Sequence, residues 1–222
     1  MSSLMKLKPV LPTQLAVKAI VFDMDGTLCK PQKWMFTMRE AIGLKDPQID
    51  ILTFVDSLPT ASLREEANLN IKKVEALAMA EMEPQPGLMA LMEFLTEHGV
   101  TTSICTRNLI TPVRHLISNF IPVEHDRFLH ILTRDFRPTK PNPDPLLHIS
   151  ERLNISPSNM IMVGDSYDDM ECGASAGCAT ILVRNDSNGS LLETHGHLID
   201  AVVTDLAEII MLLNSGFERR GI

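Results

Sequence analysis

Apolar residues along this chain fall into two registers. Ala19-Ile20-Val21-Phe22, Val100 to Cys105, Met160-Ile161-Met162-Val163 and Cys178 to Val183 are short, largely apolar or β-branched runs, the pattern of strands buried on both faces. Between them lie stretches of helical period: Leu88 to His98 closed by Gly99, Thr111 to Asn119, Pro143 to Leu153 with proline in its first turn, and Tyr167 to Ala176. Leu129 to Thr133 reads as a weaker strand. Val202-Val203 leads into a last helix over Asp205 to Asn214, and Gly221-Ile222 reads as a frayed tail. Strands alternating with helices predict an α/β fold, a doubly wound parallel sheet with helices on both faces.

One segment breaks this alternation. Residues 32–83 carry no buried-strand signal and are rich in Met, Leu, Glu and Lys. A short helix over Met35 to Ile42 ends at Gly43, and Asp46-Pro47 marks a turn. Ser62-Leu63-Arg64-Glu65 has capping-box spacing, and Leu63, Ala67, Ile71, Val74 and Ala78 recur at helical intervals up to a stop before Pro84. The predicted organisation is a core of 1–31 and 84–222 with an inserted helical domain of 32–83, seated over the carboxyl edge of the sheet.

Composition narrows the function classes. A net charge of -8 with no basic run and a single Trp and Tyr argues against nucleic acid as a partner, because such surfaces need clustered cations and stacking platforms. No window approaches the roughly 18 apolar residues of a membrane span, so no membrane partner is expected and the predicted location is cytoplasmic, with nuclear entry left open. Cys29, Cys105, Cys172 and Cys178 are scattered without a CxxC spacing, which suits buried reduced thiols.

In a parallel sheet the residues just past each strand become neighbours in one crevice. The first strand delivers Asp23 and Asp25, the second Thr106 with Arg107 and Asn108, and a later one Asp165 and Asp169, while Lys140 arrives from the Pro138 to Pro143 loop. Taken singly, each has a plain structural alternative: a turn capped by Asp23 and Asp25 before Gly26, a threonine bonded to its own backbone, a surface lysine, a helix N-cap at Gly164-Asp165-Ser166. Taken together they make a coherent set. Clustered carboxylates without His or Cys favour Mg²⁺ as cofactor. A phosphoryl group can then lie among the metal, Lys140, Thr106, Arg107 and Asn108, with Asp23 as nucleophile and Asp25 moving protons.

Asp23-Met24-Asp25-Gly26-Thr27-Leu28, Ile104-Cys105-Thr106-Arg107-Asn108, Lys140-Pro141-Asn142-Pro143-Asp144 and Val163-Gly164-Asp165-Ser166-Tyr167-Asp168-Asp169-Met170 together resemble the haloacid dehalogenase-like hydrolase superfamily, in that family's motif order. The resemblance implies a Rossmann-like core with a small helical cap, and Asp23 as nucleophile passing through an aspartyl-phosphate. It implies Asp25 as acid and base, Thr106 as phosphate ligand and Lys140 as charge neutraliser. It further implies Mg²⁺ held by Asp23, the Asp25 backbone carbonyl and Asp165, with Asp169 as ligand or support and Asp168 outside the site. Dehalogenases and phosphonate hydrolases of the family lack the aspartate matching Asp25, so the resemblance favours a phosphatase acting on a small phosphorylated metabolite. A phosphoglucomutase-like transferase and a non-catalytic regulatory protein are the alternatives. Trp34, Arg39, Arg64, Lys72 and Lys73 are candidate specificity contacts from the insert. The expected state is a monomer or weak homodimer.

Overall fold

The computed structural model describes residues 3–31, 34–46, 49 and 51–219; the side chains of 34–36 and 52 lie outside that description. In chain order the elements are β1 (Ser3–Lys6), β2 (Leu15–Ala16), β3 (Ala19–Phe22), α1 (Trp34–Ala41), α2 (Ile51–Ser57), α3 (Ala61–Ala80), α4 (Leu88–Glu97), β4 (Thr101–Cys105), α5 (Ile110–Phe120), β5 (Phe128–Leu132), α6 (Asp144–Leu153), β6 (Met160–Gly164), α7 (Tyr167–Ala176), β7 (Ala179–Val183), α8 (Leu191–Thr194), β8 (Ala201–Val203), α9 (Glu208–Ser215) and β9 (Phe217–Arg219). The chain divides into two compact units, Met1–Lys30 with Pro84–Ile222, and Pro31–Glu83.

The first unit is built on a six-stranded sheet of order β5-β4-β3-β6-β7-β8, parallel throughout. Every residue of β3, β6 and β7 is buried, which is why those strands read as apolar runs; the one polar member, Thr180, donates its hydroxyl to the Leu198 carbonyl at 2.6 Å. Side chains such as Phe22, Ile104 and Met162, exposed by 0 %, each gain about 1.5–3 kcal/mol from leaving water. The chain winds outward from β3 to β5, then crosses back to β6 and winds the other way, so the sheet changes direction beside β3. Phe22 is level with Ile104 on one side and Val163 on the other. The residues that follow those three therefore emerge together at the carboxyl edge, the place where open α/β sheets bind ligands.

The structure adds to the sequence reading and corrects it at one helix end. A three-stranded sheet of order β2-β1-β9, in which β1 is parallel to β2 and antiparallel to β9, was not legible in the sequence pattern. The frayed tail expected at Gly221-Ile222 lies outside the described residues. The last helix starts at Glu208 rather than Asp205, because Asp205 Oδ1 accepts from the Ala207 amide at 2.7 Å and Glu208 Oε1 from the Asp205 amide at 3.1 Å, closing a turn ahead of it.

In the second unit, α2 was not foreseen, and the turn expected at Asp46-Pro47 extends outside the described residues. The long helix α3 is capped by Thr60, whose Oγ1 accepts from the Leu63 amide at 3.2 Å. Ser62 already lies inside the helix, so its capping-box role is overturned. Ala67, Ile71, Val74 and Ala78 do face inward, whereas Leu63, placed at the head of that stripe, is 43 % exposed. Leu44, Ile51, Val55, Ala67 and Ile71 form this unit's own core.

All four cysteines are buried and unbridged. Burial pushes the Cys105 and Cys178 thiols up to about 12, and Cys29 and Cys172 also rise. Since the thiolate is the reactive form, native protein at pH 8 is expected to leave dithionitrobenzoate almost unreacted, and denatured protein to titrate all 4 cysteines. Rapid labelling of a native thiol would contradict this packing.

Candidate active site at the carboxyl edge of the sheet

Asp23 continues β3 by one residue, its amide donating to the Val163 carbonyl at 2.9 Å, and its residue exposure is only 8 %. The chain then turns tightly. The amides of Thr27, Leu28 and Cys29 all donate to the Met24 carbonyl, at 3.2, 2.9 and 3.1 Å. Gly26 takes a φ of +76°, and a Cβ there would lie 2.0 Å from Asp165 Oδ2. Only glycine supplies both that backbone and that gap. Gly164 leaves similar room for Asp169, whose Cγ would be 2.4 Å from an added Cβ.

Lys140 joins the two acidic segments. Its Nζ donates to Asp23 Oδ1 at 2.7 Å and to Asp169 Oδ1 at 2.5 Å, and the residue is 5 % exposed. The surface-lysine reading is thereby excluded. Asp169, 1 % exposed, also accepts at Oδ2 from the Ser166 amide at 3.1 Å and hydroxyl at 2.6 Å, while Ser166 Oγ accepts from the Asp169 amide. This capping box starts α7. The helix-cap reading of this loop and its place at the acidic cluster hold together, since one carboxylate serves both.

Carboxylate oxygens of Asp23, Asp165 and Asp169 lie within 4.8 Å of one another. Burial pushes the Asp23 carboxyl up to about 7, against the pull of Lys140 and with the push of Asp169. Burial, then Asp23 and Asp169, raise Asp165 to about 7 while Asn185 works the other way. Burial opposes the Lys140 ammonium, yet Asp169 and Asp23 hold its proton well above the usual lysine range. One ammonium among three carboxylates leaves the cluster short of positive charge, and its donors are all hard oxygens. The set fits a hard divalent cation.

The remaining residues sort differently. Thr106 is 4 % exposed; its amide continues β4 by donating to the Leu132 carbonyl at 2.9 Å, and its Oγ1 accepts from the Asn108 amide at 3.2 Å. Asn108 Nδ2 donates to Asp25 Oδ2 at 2.6 Å, so the structure brings it to the second aspartate. The Cys29 thiol donates to the other Asp25 oxygen, Oδ1, at 3.6 Å. Arg107, expected beside the phosphate, instead pairs with Asp168 at 2.5 Å, with 55 % of its side chain exposed. Asp168, set aside in the sequence reading, is thus a partner for Arg107 at the rim.

Two residues escaped the sequence reading. Asn185 and Asn188, just beyond β7, reach Asp165 through their amides. The rule that selected Asp23, Thr106 and Asp165 at their strand ends selects these also, once applied to β7.

The fold is of the α/β class, with a buried acidic cluster and its lysine at the carboxyl edge of a parallel sheet. Residues 17–177 match the haloacid dehalogenase-like hydrolases. The chain is 58 % identical over 200 residues to an uncharacterized hydrolase of Saccharomyces cerevisiae, covering 90 % of this chain and 92 % of that one. It is 27 % identical over 228 residues to a phosphoglycolate phosphatase of Thiobacillus denitrificans, covering 90 % and 96 %. A crystal structure of a predicted phosphoglycolate phosphatase from Haemophilus somnus superposes with a TM-score of 0.70 at 19 % identity, covering 88 % of this chain and 97 % of that one. The chain belongs to the haloacid dehalogenase-like hydrolase family, as its four motifs suggested. No helix among the described residues is long and apolar enough to cross a membrane.

Proposed function

We propose that this hydrolase is a Mg²⁺-dependent phosphatase acting on a small phosphorylated metabolite through an aspartyl-phosphate on Asp23. The observation that carries the reading is the Asp23 carboxylate, buried at the end of β3, held by Lys140, and set within a cluster of three carboxylates. The phosphoglycolate phosphatase among the relatives supports phosphoryl chemistry.

Asp23 attacks phosphorus, and the bond to the substrate oxygen breaks as Asp25 gives that oxygen a proton. Water then attacks the aspartyl-phosphate, Asp25 takes a proton from it, and phosphate leaves with Asp23 restored. Lys140 keeps the nucleophile oriented and offsets charge gathering on the phosphoryl oxygens. The Thr106 hydroxyl accepts from the Asn108 amide, which leaves its own proton to donate to a phosphoryl oxygen. The carboxylates of Asp23, Asp165 and Asp169 and the Asp25 backbone carbonyl would hold Mg²⁺. Bound there, the ion supplies electrostatic stabilisation of the transferring phosphoryl group. Residues 32–83 form the cap and residues 1–31 with 84–222 the catalytic core; Arg39, Arg64, Lys72 and Lys73 are the insert's candidate specificity contacts, and the side chain of Trp34 lies outside the described residues.

The test is phosphate release by the purified chain from sugar phosphates, phosphoglycolate, nucleotides and phosphoamino acids, with Mg²⁺ or with EDTA. Release that needs Mg²⁺ and yields no isomerised sugar phosphate is expected. Rates no higher than those of Asp23→Asn across the panel would sink the proposal.

A further inference from the structure

The loop beyond β7 is tied to Asp165 by two asparagines whose amide orientations are settled by their own contacts. Asn185 Oδ1 accepts from the Ser187 amide at 2.9 Å, leaving its Nδ2 to donate to Asp165 Oδ2 at 2.9 Å. Asn188, 8 % exposed, accepts at Oδ1 from the Asn185 amide at 2.8 Å. Its Nδ2 donates both to the Asp165 carbonyl at 2.8 Å and to the Val183 carbonyl at 2.9 Å. One amide thus grips the Asp165 carboxylate and the other its backbone. The two are themselves linked.

This arrangement does more than close a loop. The turn after β7 is closed within itself by the Asn185 Oδ1 contact to Ser187 and the Asn188 contacts to Asn185 and Val183. The two bonds to Asp165 cross to a different strand, one that lies beside β7 with Gly164 level with Leu182. A Cβ on Gly26 would come within 2.0 Å of the same Asp165 Oδ2 and 3.0 Å of Oδ1. Oδ2 is therefore both close against Gly26 and held by the Asn185 amide. The Oδ1 atom accepts no hydrogen bond from the described residues, and so remains free to bind something else.

We propose that Asn185 and Asn188 are positioning residues for cation binding: they form an amide bracket that fixes Asp165 Oδ2 and the Asp165 backbone, and so presents Oδ1 to the cation. This rests on the reading of Asp23, Asp165 and Asp169 as a cation site. A carboxylate held by a neutral donor keeps its charge and loses its rotational freedom, so binding a cation costs it less ordering. Partners of this kind contribute about 10–100-fold to metal affinity.

Mn²⁺ is the probe, added to the purified full chain without substrate and followed by electron paramagnetic resonance and calorimetry. Asn185→Ala is expected to weaken Mn²⁺ binding about 10–100-fold while the metal-free protein melts where the wild type does. Hydrolysis of p-nitrophenyl phosphate by this variant should fall at limiting Mg²⁺ and recover as Mg²⁺ is raised. Asn188→Ala should show the same weakening if it folds, but Asn185→Ala alone decides. Unchanged Mn²⁺ affinity in Asn185→Ala, beside clear binding by the wild type, overturns the bracket and leaves the cation site standing. A loss of activity equal at every Mg²⁺ concentration, with a lowered melting temperature, overturns it as well, because a purely structural role acts that way. Failure of the wild type itself to bind Mn²⁺ defeats the cation reading, and the bracket falls with it.

Discussion

Asp23→Asn is expected to lower phosphate release by about ten-thousand-fold or more, because a carboxamide is a poor nucleophile and little is left when the attacking group goes. The protein should stay folded. Asparagine has nearly the same shape, removes one charge from a crowded acidic cluster, and leaves Lys140 its bond to Asp169. Circular dichroism and thermal melting close to wild type, together with loss of the acid-stable phosphoryl label that the wild type carries after quenching with labelled substrate, would establish the nucleophile. Near-normal turnover in this variant would refute the assignment.

Lys140→Met should damage both chemistry and stability. The ammonium lies between two buried carboxylates, and removing one member of a buried ion pair costs about 3–5 kcal/mol. For a chain of this size that is a fall in melting temperature on the order of 10 °C. The deficit also has a defined pH dependence. With Lys140 present, burial already holds the folded-state pKa of Asp23 up at about 7, and without Lys140 to pull it down it rises further. A carboxyl whose folded pKa exceeds its unfolded value makes the native state bind more protons than the unfolded chain, so stability rises as pH falls through that window. In EDTA, the variant's deficit should therefore be larger at pH 8 than at pH 6. A variant that melts with the wild type at pH 8 would mean that Lys140 is not holding those charges together.

The parts of the fold that could be read from the sequence are those where local pattern and tertiary burial agree. Strands β3, β6 and β7 are buried throughout, so all their residues but Thr180 are apolar or glycine. Helix α7 was read with its observed limits, because Ser166 caps its start and Gly177, with φ of +81°, stops it. In contrast, β1 buries only Met5 among its four residues, and its register is set by Phe217 to Arg219, far away in sequence. No local signal marks such a strand. Helix α2 is only seven residues long, too short for periodicity to separate it from a loop.

The site was legible to the same degree and for the same reason. A sheet edge gathers strand-end residues, so Asp23 and Asp165 could be picked out from chemistry and position, with Asp169 in the first turn of the helix that follows and Lys140 in the loop that leads into α6. What side chains do within that edge was less legible. Arg107 and Asn108 follow the same strand, yet one turns outward to Asp168 and the other to Asp25. That difference is set by which acceptor lies within reach, a property of three-dimensional packing.

The pairing of β1 with β9 gives the molecule an unusual mechanical seam. Ser3 is matched with Arg219 and Met5 with Phe217, so a pull applied between the first and last strands works on a short antiparallel zipper, breaking its bonds in succession rather than together. A ladder of three residue pairs should part under such a pull before the longer ladders that flank β3 in the six-stranded sheet do. A tether or fused neighbour at either strand would thus strain the periphery first, with Asp23 and its partners still in register.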